Sequence, residues 1–184
     1  MSSTLDVIAR RYACRAYQDT PVPAETLALV AQAGVCAPSA MNRQPWRLTV
    51  VTDPDAIAAI GRVGLENLRD TDPAGYERVL GRGGALLYNA PAMILISTVR
   101  GDGPYTGMDV GIVAATVALA ATSLGLGTCI AGMPARAFEG PAGEALAAKY
   151  LPEGYDFRLS VLLGFEANPG GTPHVPDLTK ITYV

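Results

Sequence analysis

Apolar residues along this chain switch between helical and strand spacing, and the switches mark its elements. In "TLDVIARR" (4–11) Leu5, Ile8 and Ala9 recur at helical intervals. "PVPAETLALVAQAG" (21–34) opens on Pro23 with Glu25 in the first turn, as a helix start does. "DPDAIAAIGRVGLENLRD" (53–70) has Asp53 as N-cap and Pro54 at the first helical position. "PAGYERVLGRGGALLYN" (73–89) is a weaker helical region broken by glycines, and "EGPAGEALAAKY" (139–150) is a further helix. β-branching marks "RLTVVT" (47–52) as a strand. The unbroken apolar run "AMILIST" (92–98) suits a strand buried on both faces. "GTCIAG" (127–132) reads as a short strand and "FRLSVLLGF" (157–165) as a central one.

"VGIVAATVALAATSLGLG" (110–127) approaches membrane-spanning length, but its Ala, Thr, Ser and Gly make it only mildly hydrophobic. A core helix over 107–124, buried all round inside a dimer, is the expectation. The prolines and glycines of "GGTPHVPDLTKITYV" forbid a continuous helix, so this tail should lie extended, with strand propensity in "KITYV". No repeat or linker divides the chain, which reads as one domain over 1–184. Helices alternating with few strands give α+β or α/β, with helices on both sheet faces.

The sequence is 49% hydrophobic and 17% charged over 184 residues, enough for a real core. So little charge leaves apolar surface that a subunit interface would cover. A net charge of −3 and a pI near 5.1 offer nothing to nucleic acid or an anionic membrane. Three cysteines, Cys14, Cys36 and Cys129, without a CxxC, point to a reducing, cytoplasmic setting. One histidine leaves too few partners for a Cys/His zinc site or a Ser-His-Asp triad, so no metal is expected. "MSSTLDVIARRY" has no apolar signal-peptide region.

Three stretches could carry chemistry. In "ARRYACRAY" (9–17), Arg11 and Arg15 would share a face if the first helix continues, and could converge on an anion. A solvated basic helix end explains them equally. In "APSAMNRQPWRLTV" (37–50), Asn42 and Gln44 present amides that can read a heterocycle's edge. The same residues would also suit a turn that satisfies its own backbone, with Trp46 as core. In "LGLGTCIAGM" (124–133) the first two glycines suit a helix C-cap and a tight connection. This is no dinucleotide fingerprint, because no strand precedes it and Ile130 stands at the third glycine position. Its "IAGM" portion can present a backbone N–H near Gly132 to a ligand.

Taken in order, the paired arginines, "APSAMNRQPW", the Ala-rich helix opening on Asp109, "GLGTCIAG" and "SVLLGF" resemble the FMN-dependent nitroreductase family. The resemblance runs from about residue 4 to the C-terminus. It implies an α+β three-layer fold with a mostly antiparallel central sheet flanked by helices. It also implies an intertwined homodimer, with the tail from about 166 to 184 on the partner and FMN at the interface. Arg11 and Arg15 match residues that meet the flavin phosphate and pyrimidine side. Pro38, Ser39, Ala40 and Asn42 match a loop lent by the partner, and Ala131 and Gly132 match the segment passing flavin N5. The neighbouring cofactor positions are Tyr12 and Ala13, where the family often has a basic residue or His and then Ser. Where the family often carries a C-terminal basic pair for the phosphate, Thr172 and His174 stand here, and His174 is the remaining candidate phosphate contact, with a tail residue in solvent as the alternative. The implied activity is reduction of nitroaromatics, quinones or flavins with NAD(P)H, by alternating hydride transfer through N5 and without a side-chain nucleophile. The alternatives are a flavin-binding or storage protein with little turnover, and a specialised reductive dehalogenase or dehydrogenase. Residues 64–85 would form a lid, with Tyr76, Arg78 and Arg82 as candidate contacts; a solvated helix explains the same charges.

Overall fold

The computed structural model describes residues 3–101 and 103–184. The elements run α1 (Thr4–Arg10), α2 (Ala24–Val35), β1 (Trp46–Val51), α3 (Pro54–Thr71), α4 (Pro73–Leu80), β2 (Ala92–Val99), α5 (Thr106–Ser123), β3 (Gly127–Ala131), α6 (Gly140–Tyr150) and β4 (Tyr155–Gly164). Short 3-10 turns lie at Ala40–Asn42, Met133–Phe138 and Leu178–Lys180. The strands form one sheet in the order β1-β2-β4-β3, antiparallel throughout. This is the α+β class expected, in three layers.

The continuous apolar run of β2 is explained by a sheet covered on both faces. Ala92, Ile94 and Ile96 point into a cluster with Val113, Val117 and Ala121 of α5 and Val30 of α2. Met93 and Leu95 point the other way, against Ile60 and Val63 of α3, Val79 of α4 and Leu146 of α6. Alternation along the strand sends successive side chains into two separate cores. Helix α5 buries one stripe on the sheet, while Met108 and Ile112 on its other side are exposed. Within one chain, therefore, it is not buried all round. By length and composition α5 alone among the described helices could cross a membrane, but its buried stripe makes it a core helix.

Local signals place most boundaries. Ser3 and Asp6 form a capping box that starts α1. Asp53 caps α3 with Pro54 at its first position, as the sequence indicated. At the end of α5, Gly125 takes φ +83, its N–H donates to Thr122 O, and Leu126 N–H donates to Ala121 O at 3.0 Å. That pair of bonds is a Schellman stop, and only glycine enters it freely.

Three expectations need correction. Helix α1 stops at Arg10 with Arg11 as its C-cap, so Arg11 and Arg15 do not share a helical face. The chain prefers the sheet edge there: Ala13 bridges Thr128, and Tyr17 bridges Glu166. The helical reading of 73–89 shrinks to α4, because Gly83 and Gly84 adopt φ +98 and +75. Residues 92–98 and 157–165 extend slightly to 92–99 and shift to 155–164. Within one chain "KITYV" joins none of the four strands.

Candidate functional site

The segment after α1 is fastened along the β3 edge. Cys14 N–H donates to Thr128 O at 2.8 Å, Gln18 N–H to Phe165 O at 2.9 Å, and Ala167 N–H to Ala16 O at 3.0 Å. Cys14 is buried, and its thiol donates to Ala16 O at 3.2 Å. Tyr17 Oη donates to Cys14 O at 3.0 Å. The positive charges of Arg15 and Arg11 both draw the Cys129 thiol's proton affinity downward, although burial outweighs them and pushes it up. The Arg15 guanidinium also sits over the Tyr88 ring, 5.9 Å from its centroid, where cation–π attraction orients it. Tyr88 itself holds φ +54.

Ala13 and Ala131 pack against the same core cluster. Ala131 O accepts from Ser160 Oγ at 3.0 Å, which fixes the strand end. Gly132 follows, exposed, and a Cβ built on it would meet only Leu159, at 3.9 Å. Beside Leu159 a groove of about 480 Å³ runs along Gly103, Gly107, Gly111 and Arg158. A second cleft, of about 330 Å³, lies around Pro21, Thr52 and Ala90 and includes none of the candidate residues. The hydroxyl of Thr128 is buried with no hydrogen-bond partner.

Tyr12 is half-buried, and burial first, then its bond to Glu166, pushes its phenol up to about 12. Gly171 of the tail lies against the Tyr12 ring so closely that any side chain there would collide with it. Since three residues reach at most about 10 Å, this contact tethers exposed His174 near the Tyr12 end of the site.

The residues of "APSAMNRQPW" are elsewhere. They precede β1, the opposite edge of the sheet from β3, which is roughly 14 Å across three strand spacings. One chain thus brings together Arg11, Tyr12, Ala13, Arg15, Ala131 and Gly132, and leaves Pro38, Ser39, Ala40 and Asn42 apart. The loop is closed on itself. Gln44 N–H donates to Ser39 Oγ at 2.9 Å, Asn42 N–H to Ser39 O at 3.0 Å, and Gln44 Nε2 to Asn42 Oδ1 at 2.9 Å. Trp46 is core. The turn reading thus describes this loop within one chain. Yet Met41, Asn42 and Gln44 hold φ +53, +53 and +47, a concentration of strain that non-glycine residues rarely carry. An exposed, strained, internally braced loop suits a preformed recognition element.

In the lid region, Arg78 pairs with Asp72 at 3.5 Å and Arg82 Nε donates to Arg78 O at 3.0 Å. Asn67 Nδ2 donates to Arg136 O and Glu139 O, joining α3 to the turn that follows Gly132. Sequence reasoning passed over Tyr88 and Glu166, which carry no local signal of their own. It used Asp109 only as a helix marker, and an aspartate in a first turn ordinarily faces solvent.

The chain belongs to the Nitroreductase family, whose model matches residues 8–151. A nitroreductase crystal structure with bound FMN from Desulfitobacterium hafniense DCB-2 is 41% identical, with a TM-score of 0.94, covering 100% of this chain and 99% of that one. A second FMN-bound nitroreductase, from Bacteroides fragilis NCTC 9343, is 25% identical with a TM-score of 0.87 and full coverage of both chains. A Methanothermobacter thermautotrophicus protein, named as a candidate NADH dehydrogenase/NAD(P)H nitroreductase, is 30% identical over 132 residues. That match covers 70% of this chain and spans 60% of the relative's length.

Proposed function

We propose that this protein is an FMN-dependent oxidoreductase that uses NAD(P)H to reduce small electron-poor acceptors such as nitroaromatics, quinones or flavins. The observation that carries the reading is the fastening of the 11–17 segment, which bears Arg11 and Arg15, beside β3, whose end leads to an uncovered Gly132. These residues fit the group. FMN needs cations for a phosphate and for the electron-rich pyrimidine edge, together with a flat strip of backbone free of side chains. Arg11 and Arg15 supply the first, and Ala131–Gly132 supply the second. Bound there, FMN supplies hydride acceptance and donation.

The side chains around it bind and orient. With FMN bound there, Arg15, steadied by Tyr88, would present positive charge to the ring's electron-rich edge. Gly132, carrying no side chain, would leave room for a nicotinamide or an acceptor beside the ring. No protein nucleophile is required, which agrees with buried Cys14 and Cys129 whose thiols burial pushes up. The width of the sheet between Gly132 and the strained loop supports a homodimer in which Ser39, Ala40 and Asn42 of one copy complete the site of the other. Exposed Met108 and Ile112 on α5, and Leu5 and Ile8 on α1, give that interface its apolar surface.

The test is direct. Purified protein should be yellow, with one FMN per chain, and should bleach under nitrogen with NADH or NADPH. Colour should return on adding a quinone or nitroarene. Protein that takes up no FMN refutes the reading, and yellow protein that no nicotinamide bleaches refutes the reductase activity.

A further inference from the structure

We propose that Asp109 is a positioning residue: from inside the first turn of α5 it sets the conformation in which the 38–45 loop meets the cofactor. The inference rests on the reading that this loop contacts FMN. Asp109 is 4% exposed, and its Oδ1 accepts the Ala40 N–H at 2.9 Å across 69 residues of sequence. A buried carboxylate is a costly group to keep, and an apolar residue would fill the same space at less cost. What the carboxylate gains is a backbone donor at the start of the turn that places Met41, Asn42 and Gln44 in left-handed conformations. Those conformations persist only where surrounding structure dictates them. Bonds within the loop, among them Gln44 N–H to Ser39 Oγ and Gln44 Nε2 to Asn42 Oδ1, brace it internally. The Asp109 bond fixes the braced unit to the sheet-packed helix. Its position in the first turn of an 18-residue helix further favours negative charge there. The carboxylate itself is shielded from solvent and acts through Ala40.

Three variants test this by two readouts: FMN dissociation constant, and amide exchange of the 38–45 peptide in the apoprotein. Asp109→Ala should speed exchange across 38–45 and weaken FMN binding about tenfold or more, the value of a charge-assisted bond. Asp109→Asn keeps an acceptor oxygen and should fall between Asp109→Ala and wild type in both. Val113→Ala, a cavity variant in the same helix, should lower the melting temperature yet leave FMN affinity within about twofold. Unchanged affinity and exchange in folded Asp109→Ala overturn the proposal, as does an equal loss of affinity in Val113→Ala. If Asp109→Ala does not fold, Asp109→Asn carries the test, and wild-type values in both readouts overturn it. If wild type binds no FMN, the functional reading falls, and unchanged exchange in Asp109→Ala separately overturns the positioning role.

Discussion

The middle of the "GLGTC" element offers a quantitative test of how the site is built. Gly127 is buried at the start of β3, and a Cβ placed on it would lie 2.7 Å from Glu166 Cγ, 2.8 Å from Cys14 Sγ and 3.0 Å from Cys14 Cβ. Glu166 can swing aside. Cys14 cannot, because its N–H is bonded to Thr128 O at 2.8 Å and its thiol to Ala16 O at 3.2 Å. Gly127→Ala must therefore push the 11–17 segment away from β3 by several tenths of an ångström. Overpacking of that kind costs about 1–3 kcal/mol, and the stiffer alanine returns roughly 0.5 kcal/mol through the unfolded chain. A net loss of about 1.5 kcal/mol lowers the melting temperature of a chain this size by about 5 °C. Because Arg11 and Arg15 ride on the displaced segment, FMN affinity should also fall several-fold. Differential scanning calorimetry and a flavin fluorescence titration measure both. Gly61→Ala is the control: its Cβ meets Leu87 at an ordinary 3.7 Å within α3, so helix propensity should raise stability by about 0.5–1 kcal/mol. A Gly127→Ala protein that melts at or above the wild-type temperature refutes the close-approach argument.

Other consequences are simpler to state. Arg11→Ala should weaken FMN binding by about tenfold or more while leaving circular dichroism and melting nearly unchanged; undiminished FMN stoichiometry removes Arg11 from the cofactor site. An aromatic disulfide reagent should modify exposed Cys36 quickly and reach Cys14 and Cys129 only after denaturation, so two or more fast thiols contradict the burial described. Stability should decline in alkali. Cys14, Cys129, Tyr12 and Tyr17 are all raised from ordinary values of 9.0 and 10.0, so the folded protein keeps protons that the unfolded chain releases. That contribution is complete below about pH 8 and is lost as pH climbs from about 9 toward 12. A urea midpoint at pH 10.5 equal to that at pH 8 would contradict it.

The fold was legible because its signals are local. Asp53-Pro54, the helical spacing of Leu5, Ile8 and Ala9 in α1 and the unbroken apolar run of β2 each act within a few residues, and each element appeared where its pattern lay. The misread segment, 11–17, is a contest between local and distant forces. "RYACRAY" has no residue that forbids helix, yet its backbone finds bonds to Thr128 and Ala167 that lie more than a hundred positions away. Periodicity cannot register such a competitor.

The candidate site was legible by type and order, but not by grouping. The sequence offered two explanations for Asn42 and Gln44, and within one chain they satisfy each other through a 2.9 Å bond. What no linear pattern reveals is the cost of their backbone: three left-handed residues among four, none of them glycine. A loop needing only to turn would take Gly or Asn-Gly and avoid that strain. Met41 and Gln44 are kept there, exposed, with a buried aspartate bonded to the turn's first N–H. The same economy governs the glycines between α5 and β3, where Gly125 answers to its own φ and Gly127 to the neighbouring Cys14. Both stretches lie where backbone conformation, more than side-chain identity, sets what a ligand would meet. If the proposed site is right, variants that relax either the strain or the close packing should loosen FMN before they unfold the chain.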